Sequence, residues 1–237
     1  MSAIVTNDEF QIIKDRRTEH LYTIEFQSYS ESIIKSLIKT RIITGATVSS
    51  NYKTLRFKAF SIQTFEQFQE EQQKINGNKK LRISVAAKLL SNLANQLQYL
   101  ITTQNESFIG YSVKNIIVID KSKFAYISNE MLAAIEAEKV LMSFPFSPND
   151  FFMSYEQTKI TELPFHIHYK TSYYSLACLI IYSLSPDDDF LTDENPKLLC
   201  EKLKNRLEIL SIKDTKMYCL LKRCLVEDPI ERNILFI

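Results

Sequence analysis

Residues 169–184, YKTSYYSLACLIIYSL, are apolar almost all the way round a helical wheel, and this constrains the fold more than any other segment. A helix without a polar stripe has to be wrapped on every side by the rest of its own chain. A membrane span is the other home for such a helix. The longest apolar stretch here, residues 173–184, is 12 residues interrupted by serines, against the roughly 20 that cross a bilayer. The helix therefore belongs in the middle of a core. The chain is long enough to surround it: 237 residues, 45% hydrophobic and 24% charged, match one large globular domain or two small lobes.

Charge and composition narrow the function classes. Lys+Arg 29 against Asp+Glu 28 leaves a net charge of +1, so no bulk field favours nucleic acid or an anionic membrane, although a local basic patch stays open. There are three glycines, Gly45, Gly77 and Gly110, where average usage would give about sixteen. That scarcity opposes any function built on a glycine-rich phosphate loop. Cys178, Cys200, Cys219 and Cys224 form no Cys-x-x-Cys pair and read as reduced core thiols. Residues 1–10 lack the charged and then apolar blocks of a signal peptide. The expectation is a soluble, intracellular, cytoplasmic protein with no nucleic-acid and no membrane partner.

The first sixty residues read as a small α+β unit. Residues 10–26 suit a hairpin, with Leu21, Tyr22, Ile24 and Phe26 as strand formers. Residues 30–43 place Ile33, Ile34, Leu37, Ile38 and Ile42 at helical spacing, with Ser30 as cap and Gly45 as terminator. Residues 46–50 and 54–60 are short strand candidates. Beyond Phe60 the pattern turns helical: 64–74, closed at Gly77, then 83–101 with a stripe of Val85, Leu89, Leu93, Leu97 and Leu100. Two short strands, 116–119 and 124–127, precede a helix candidate at 130–141. An irregular stretch with Pro145 and Pro148 leads to the apolar helix, and helices at 196–210 and 214–226 finish the chain.

A strand-rich lobe, a hinge near Phe60 and a helical lobe with one short hairpin after its long helix resembles the eukaryotic-type protein kinase fold. Local matches follow in order. LLSNLANQLQYL at 89–100 resembles the helix before a kinase catalytic loop, and KNIIVI at 114–119 is similar to the end of that loop with its Asn. Ser154, Tyr155 and Glu156 look like the Ala-Pro-Glu element, and SYYSLACL at 172–179 resembles the start of the buried helix. RCLVEDPIER at 223–232 looks like the last kinase signature. The resemblance implies a structural ion pair between Glu156 and Arg232, 76 residues apart (232 − 156). It implies an α+β, two-lobed kinase-like fold, with a reduced sheet lobe at 1–60 and a larger, mainly helical lobe at 61–237. The glycine-poor, Ile- and Asn-rich style is also similar to kinase-like proteins of large DNA viruses, for which host cytoplasm or virion would be the location.

Of the chemical positions the resemblance assigns, Asn115 is the only standard metal ligand left, and the others are replaced. Phosphoryl transfer needs a loop over the phosphates, a Lys on them, an Asp for the nucleophile and metal ligands. Counting back from Asn115 puts Gly110 at the catalytic Asp, with Phe108 and Ile109 for the preceding His-Arg and Ser112 for the following Lys. The metal-binding Asp falls at Ser128, beside Asn129 and Glu130. Ser172 stands for the Asp that braces the loop. Lys14 in FQIIK is the only small-lobe candidate for the nucleotide lysine and reads better as a surface residue. No cofactor and no metal is expected. The implied function is a catalytically inactive, pseudokinase-like module for binding or assembly with a protein partner. The alternative is an atypical active serine/threonine kinase or nucleotide binder using displaced ligands such as Glu130 or Asp120.

Two further groups stay open. His166 and His168 in FHIHY share a strand face, which suits either a metal or ordinary loop hydrogen bonds. Asp187, Asp188 and Asp189 read as a solvated loop. Phe144, Phe146, Phe151, Phe152 and Tyr155 either pin the segment before the final helices or form an exposed partner patch.

Overall fold

Alternating apolar residues build the first part of the chain into an antiparallel sheet. Strands β1 (Ser2–Thr6), β2 (Phe10–Lys14) and β3 (Leu21–Phe26) run as a meander, then helix α1 (Glu31–Lys39) intervenes before β4 (Thr47–Val48) and β5 (Thr54–Lys58). The spatial order is β1-β2-β3-β5-β4. Register sets Phe10 opposite Phe26, Ile12 opposite Ile24 and Ile24 opposite Leu55. These side chains are all buried, so one face of the sheet is core and Arg56 and Lys58 lie outside. The computed structural model describes residues 2–143, 151–185 and 196–234.

Beyond the sheet, β6 (Ile62–Thr64) leads into α2 (Phe65–Asn76) and α3 (Ile83–Tyr99). Thr64 and Gln67 close a capping box at the start of α2, and Gly77 ends it in the left-handed conformation at φ 77°. After α3 one π-helical turn carries the chain to β7 (Glu106–Phe108). Strands β8 (Ile116–Ile119) and β9 (Lys123–Tyr126) form a hairpin, with β6 on its other edge. Then come β10 (Leu132–Ala134), β11 (Lys139–Met142), β12 (Phe165–His168), α4 (Thr171–Leu184), α5 (Pro196–Ile209) and α6 (Lys216–Cys224). The chain is a mixed α+β protein. Helix α4 is the residue 169–184 helix, buried along nearly its whole length, with α3, α5 and α6 around it.

Several expectations need correction. The helix at 130–141 is absent: β10 pairs with β7, and β11 pairs with β12. Ala133, Ala134 and Leu132 favour a helix locally, but Ala137 and Glu138 turn through left-handed φ of 47° and 63°, and the two ladders satisfy the backbone instead. Helix α1 stops at Lys39, with Arg41 left-handed, and Gly45 lies in the loop beyond. Ser30 makes no side-chain cap, because its hydroxyl donates to Ser28 O and accepts from Asn129 Nδ2. Of the cysteines, Cys178 and Cys224 are buried, the latter's thiol pushed up to about 12 by burial, whereas Cys219 is exposed. Phe144, Phe146 and Asp187–Asp189 lie outside the described residues. Among the described residues no helix is long and apolar enough to cross a membrane.

Two buried contacts fix α1 and the hairpin to the helices. Gln96 of α3, fully buried, donates from Nε2 to Ser36 Oγ of α1 at 3.0 Å and to Tyr126 O at 2.9 Å. It accepts from Tyr126 N at 3.1 Å. Asn92 accepts from Phe124 N. Gln96→Leu would leave a backbone donor and a backbone acceptor unpaired inside the protein and would take one bond from the Ser36 hydroxyl, which keeps its donation to Ile33 O at 2.7 Å. A loss of about 2–4 kcal/mol is expected in urea unfolding, against about 1 kcal/mol for Ser36→Ala.

Candidate functional site

Between the N-terminal sheet and the helices, the two positions assigned to the metal, Asn115 and Ser128, gather around one carboxylate. The turn between β1 and β2 is organised by Asn7, whose Oδ1 accepts from the N–H groups of Glu9 at 3.0 Å and Phe10 at 2.8 Å. This aims Glu9 away from the sheet. Glu9 Oε1 accepts from Asn115 Nδ2 at 2.9 Å and Ser128 Oγ at 2.6 Å. Glu9 Oε2 accepts from the backbone N–H of Asn129 at 2.6 Å and of Glu130 at 3.0 Å. Asn7 Nδ2 also donates to Asn115 Oδ1 at 3.2 Å. Asn115 and Ser128, the two positions expected at the metal, thus meet, and the group between them is the chain's own Glu9.

Three carboxylates crowd this place. Burial, and then the charges of Glu9 and Asp8, hold the Glu130 carboxyl above its ordinary range. Among the described residues no group of three or more His, Cys, Asp or Glu could hold a metal ion. Asp120 is used elsewhere: its Oδ1 accepts from the N–H of Phe60 at 2.6 Å and of Ser61 at 3.1 Å, at the junction after the sheet. His166 and His168 share a face of β12, where His168 Nδ1 accepts from Lys170 N.

Gly110 is buried, and an aromatic ring occupies the space its side chain would take. A Cβ built there would lie 2.0 Å from Phe151 Cδ2. Phe152 N donates to Tyr111 O at 2.9 Å, so residues 151–152 pair with the loop like a short strand and lock the Phe151 ring over Gly110. Phe151 and Phe152 are buried, which settles these two as internal packing. Phe108 and Ile109 are core residues, with Phe108, Tyr111 and Tyr126 in mutual ring contact. Ser112 is buried, and its N–H donates to Tyr126 Oη at 3.2 Å. Lys14 is exposed, with its ammonium 5.8 Å from the Tyr22 ring.

The loop is braced by serines. Ser175 Oγ of α4 accepts from Tyr111 N at 2.8 Å. Ser172 Oγ accepts from Ser107 Oγ at 3.1 Å and donates to Tyr169 O. Sequence reasoning singled out Ser172 as a weakened brace and missed Ser107 and Ser175. It missed Gln157 too, which accepts from Ser154 N and donates to Ile109 O at 2.7 Å. Above all it missed Glu9, whose only local signal is its place in an Asn-Asp-Glu turn between two strands.

Glu156 and Arg232 form a bidentate pair, Arg232 Nη1 donating to Oε1 and Nη2 to Oε2, both at 2.6 Å. The Arg232 guanidinium is fully buried, lies 4.9 Å from the Tyr174 ring centroid, and donates also to the carbonyls of Val226, Glu227 and Lys170. Every donor nitrogen is used, so the charge is tolerated inside the protein. No protein-family model matches the chain, and comparison with curated proteins finds no match.

Two predictions follow from this packing. Gly110→Ala forces the Phe151 ring away and should cost about 1–3 kcal/mol in chemical unfolding. In a Phe151→Ala background the same change should be close to neutral, a non-additivity that a double-mutant cycle reads directly. Glu156→Ala strands a buried guanidinium and should cost about 3–5 kcal/mol by the same assay.

Proposed function

We propose that this chain is a kinase-like, catalytically silent protein that works as a binding or assembly module for a protein partner. The element order supports the two-lobed reading: a five-stranded sheet with one helix between its third and fourth strands, then helices around a buried α4. The observation that carries the functional reading is Glu9. Mg²⁺ and phosphates would have to lie at Asn115 and Ser128, and the loop that covers them would have to lie over these residues. Here the β1–β2 turn lies there and fills the place with a carboxylate on four donors. A nucleotide phosphate would have to displace that anion while facing Asp8 and Glu130.

The remaining positions support the same reading. A kinase carries its nucleotide lysine on the third strand, and β3 here is LYTIEF, without a lysine. Phe151 fills the space of the catalytic Asp at Gly110. Each change removes a part that phosphoryl transfer requires at the position where a kinase keeps it, and of these positions Asn115 alone keeps its residue type.

The test is thermal unfolding of the full chain with ATP, with and without Mg²⁺. A ligand at 100 times its dissociation constant stabilises a fold by about 2.7 kcal/mol, which moves the midpoint by several degrees. The expected result is no shift at millimolar nucleotide. A Mg²⁺-dependent rise would sink the silent reading and make phosphotransfer the next assay.

A further inference from the structure

The seat of Glu9 has the properties of a receptor rather than of a chance contact. Each carboxylate oxygen takes two donors: Asn115 Nδ2 and Ser128 Oγ on one, the N–H groups of Asn129 and Glu130 on the other. The donors are held by bonds that do not involve Glu9. The Asn115 backbone O accepts from Ile127 N at 2.8 Å, and its side-chain Oδ1 accepts from Asn7 Nδ2 at 3.2 Å. Ser128 is 1% exposed, and its Oγ accepts from Met131 N at 3.2 Å. The Asn129 side chain is fixed by Ser28 Oγ and Ser30 Oγ. A site whose donors are already in place loses little entropy when its ligand arrives.

The seat also selects by charge. All four donors are neutral dipoles, with no lysine or arginine among them, and the carboxyls of Asp8 and Glu130 act on the same place. Such a site stabilises one negative charge spread over two oxygens and resists two. A planar carboxylate fits this rule, and a phosphate dianion does not. Glu9 reaches the seat from a hairpin turn, as a ligand on a tether.

We propose that the seat formed by Asn115, Ser128 and the N–H groups of Asn129 and Glu130 is a monocarboxylate-recognition site. Glu9 occupies it in cis, and the Asp or Glu side chain of a protein partner is the ligand that exchanges with it. The naming of a partner rests on the reading above that this cleft serves binding, whereas the carboxylate selectivity stands on the four donors alone.

The experiment uses the full chain carrying Glu9→Ala. Its thermal midpoint is followed against sodium acetate, a doubly blocked glutamate (N-acetyl-glutamate α-amide), sodium phosphate and sodium chloride, all at equal ionic strength. The midpoint should rise saturably with acetate and at lower concentration with the blocked glutamate, and stay level in phosphate and chloride. The unsubstituted chain should respond to neither carboxylate, because a tethered ligand presents itself at millimolar effective concentration or above. Adding Ser128→Ala should weaken the acetate response about tenfold or more, the loss expected for one hydrogen bond to a charged group. If Glu9→Ala is unfolded in buffer, recovery of its transition in acetate but not chloride supports the site, and failure in both overturns it.

An equal response to acetate and chloride, or a phosphate response matching acetate, would overturn the selectivity. Acetate acting where the blocked glutamate does not would overturn the assignment to a protein side chain. Nucleotide added to the unsubstituted chain reads the silent-kinase proposal separately, so either can fail without the other.

Discussion

Helix α4 has no face for water, and the structure is arranged to satisfy that constraint. Its apolar residues are covered by α3, α5 and α6, but it also carries Thr171, Ser172, Ser175 and Ser183, all buried. Each hydroxyl needs a partner, since an unpaired buried polar group costs about 1–3 kcal/mol. Thr171 meets Ser154, Ser172 meets Ser107, Ser175 receives the N–H of Tyr111, and Ser183 donates to Ile180 O. Two of these four bonds reach into loops and a third into β7. The path of residues 107–111 and the anchorage of residues 154–157 are therefore consequences of burying this one helix. Arg232, under the Tyr174 ring, ties the last residues of the described chain to the same element.

Legibility followed the physics of each segment. Periodic apolar stripes announced α1 and α3, a run apolar on all sides announced α4, and alternation announced β2, β3 and β5, because in these elements burial and local pattern agree. The pairing of Glu156 with Arg232 was readable only through a resemblance, as 76 residues separate them and neither has a local signal. The segment MLAAIEAEKVLM misled because its composition favours a helix, while its strands exist only through distant pairing with β7 and β12. Ser128 and Gly110 could be singled out as altered positions, and Asn115 as a retained one. What replaced them could not, because Glu9 and Phe151 reach those places across long sequence separations that one sequence does not record.

Under the kinase-like reading, the replaced positions have been refilled rather than left empty. Gly110 is required by Phe151, since any Cβ there would overlap the ring. Ser112 and Phe108 join an aromatic cluster with Tyr126. Burial keeps the Tyr126 and Tyr111 hydroxyls neutral by raising their ionisation far above the usual phenol range. A loop that in a kinase carries polar, exposed catalytic groups is here a packed and largely uncharged element.

The exception is the place where charge was kept. An apolar side chain at residue 9 would leave Asn115 Nδ2, Ser128 Oγ and two backbone N–H groups without acceptors, at a cost that rises with each donor. Once those four donors converge, only an anion satisfies them all. The β1–β2 turn supplies it, and in doing so sets where the N-terminal sheet sits against residues 115 and 128–130. The position of the sheet is thereby coupled to what occupies one small seat, so a ligand that replaced Glu9 would release the turn. Gln96 and Asp120 would still hold α1 and the junction at Phe60 in place. The turn is therefore the part of the sheet best placed to move when the seat changes its occupant, and the part through which binding there would be felt.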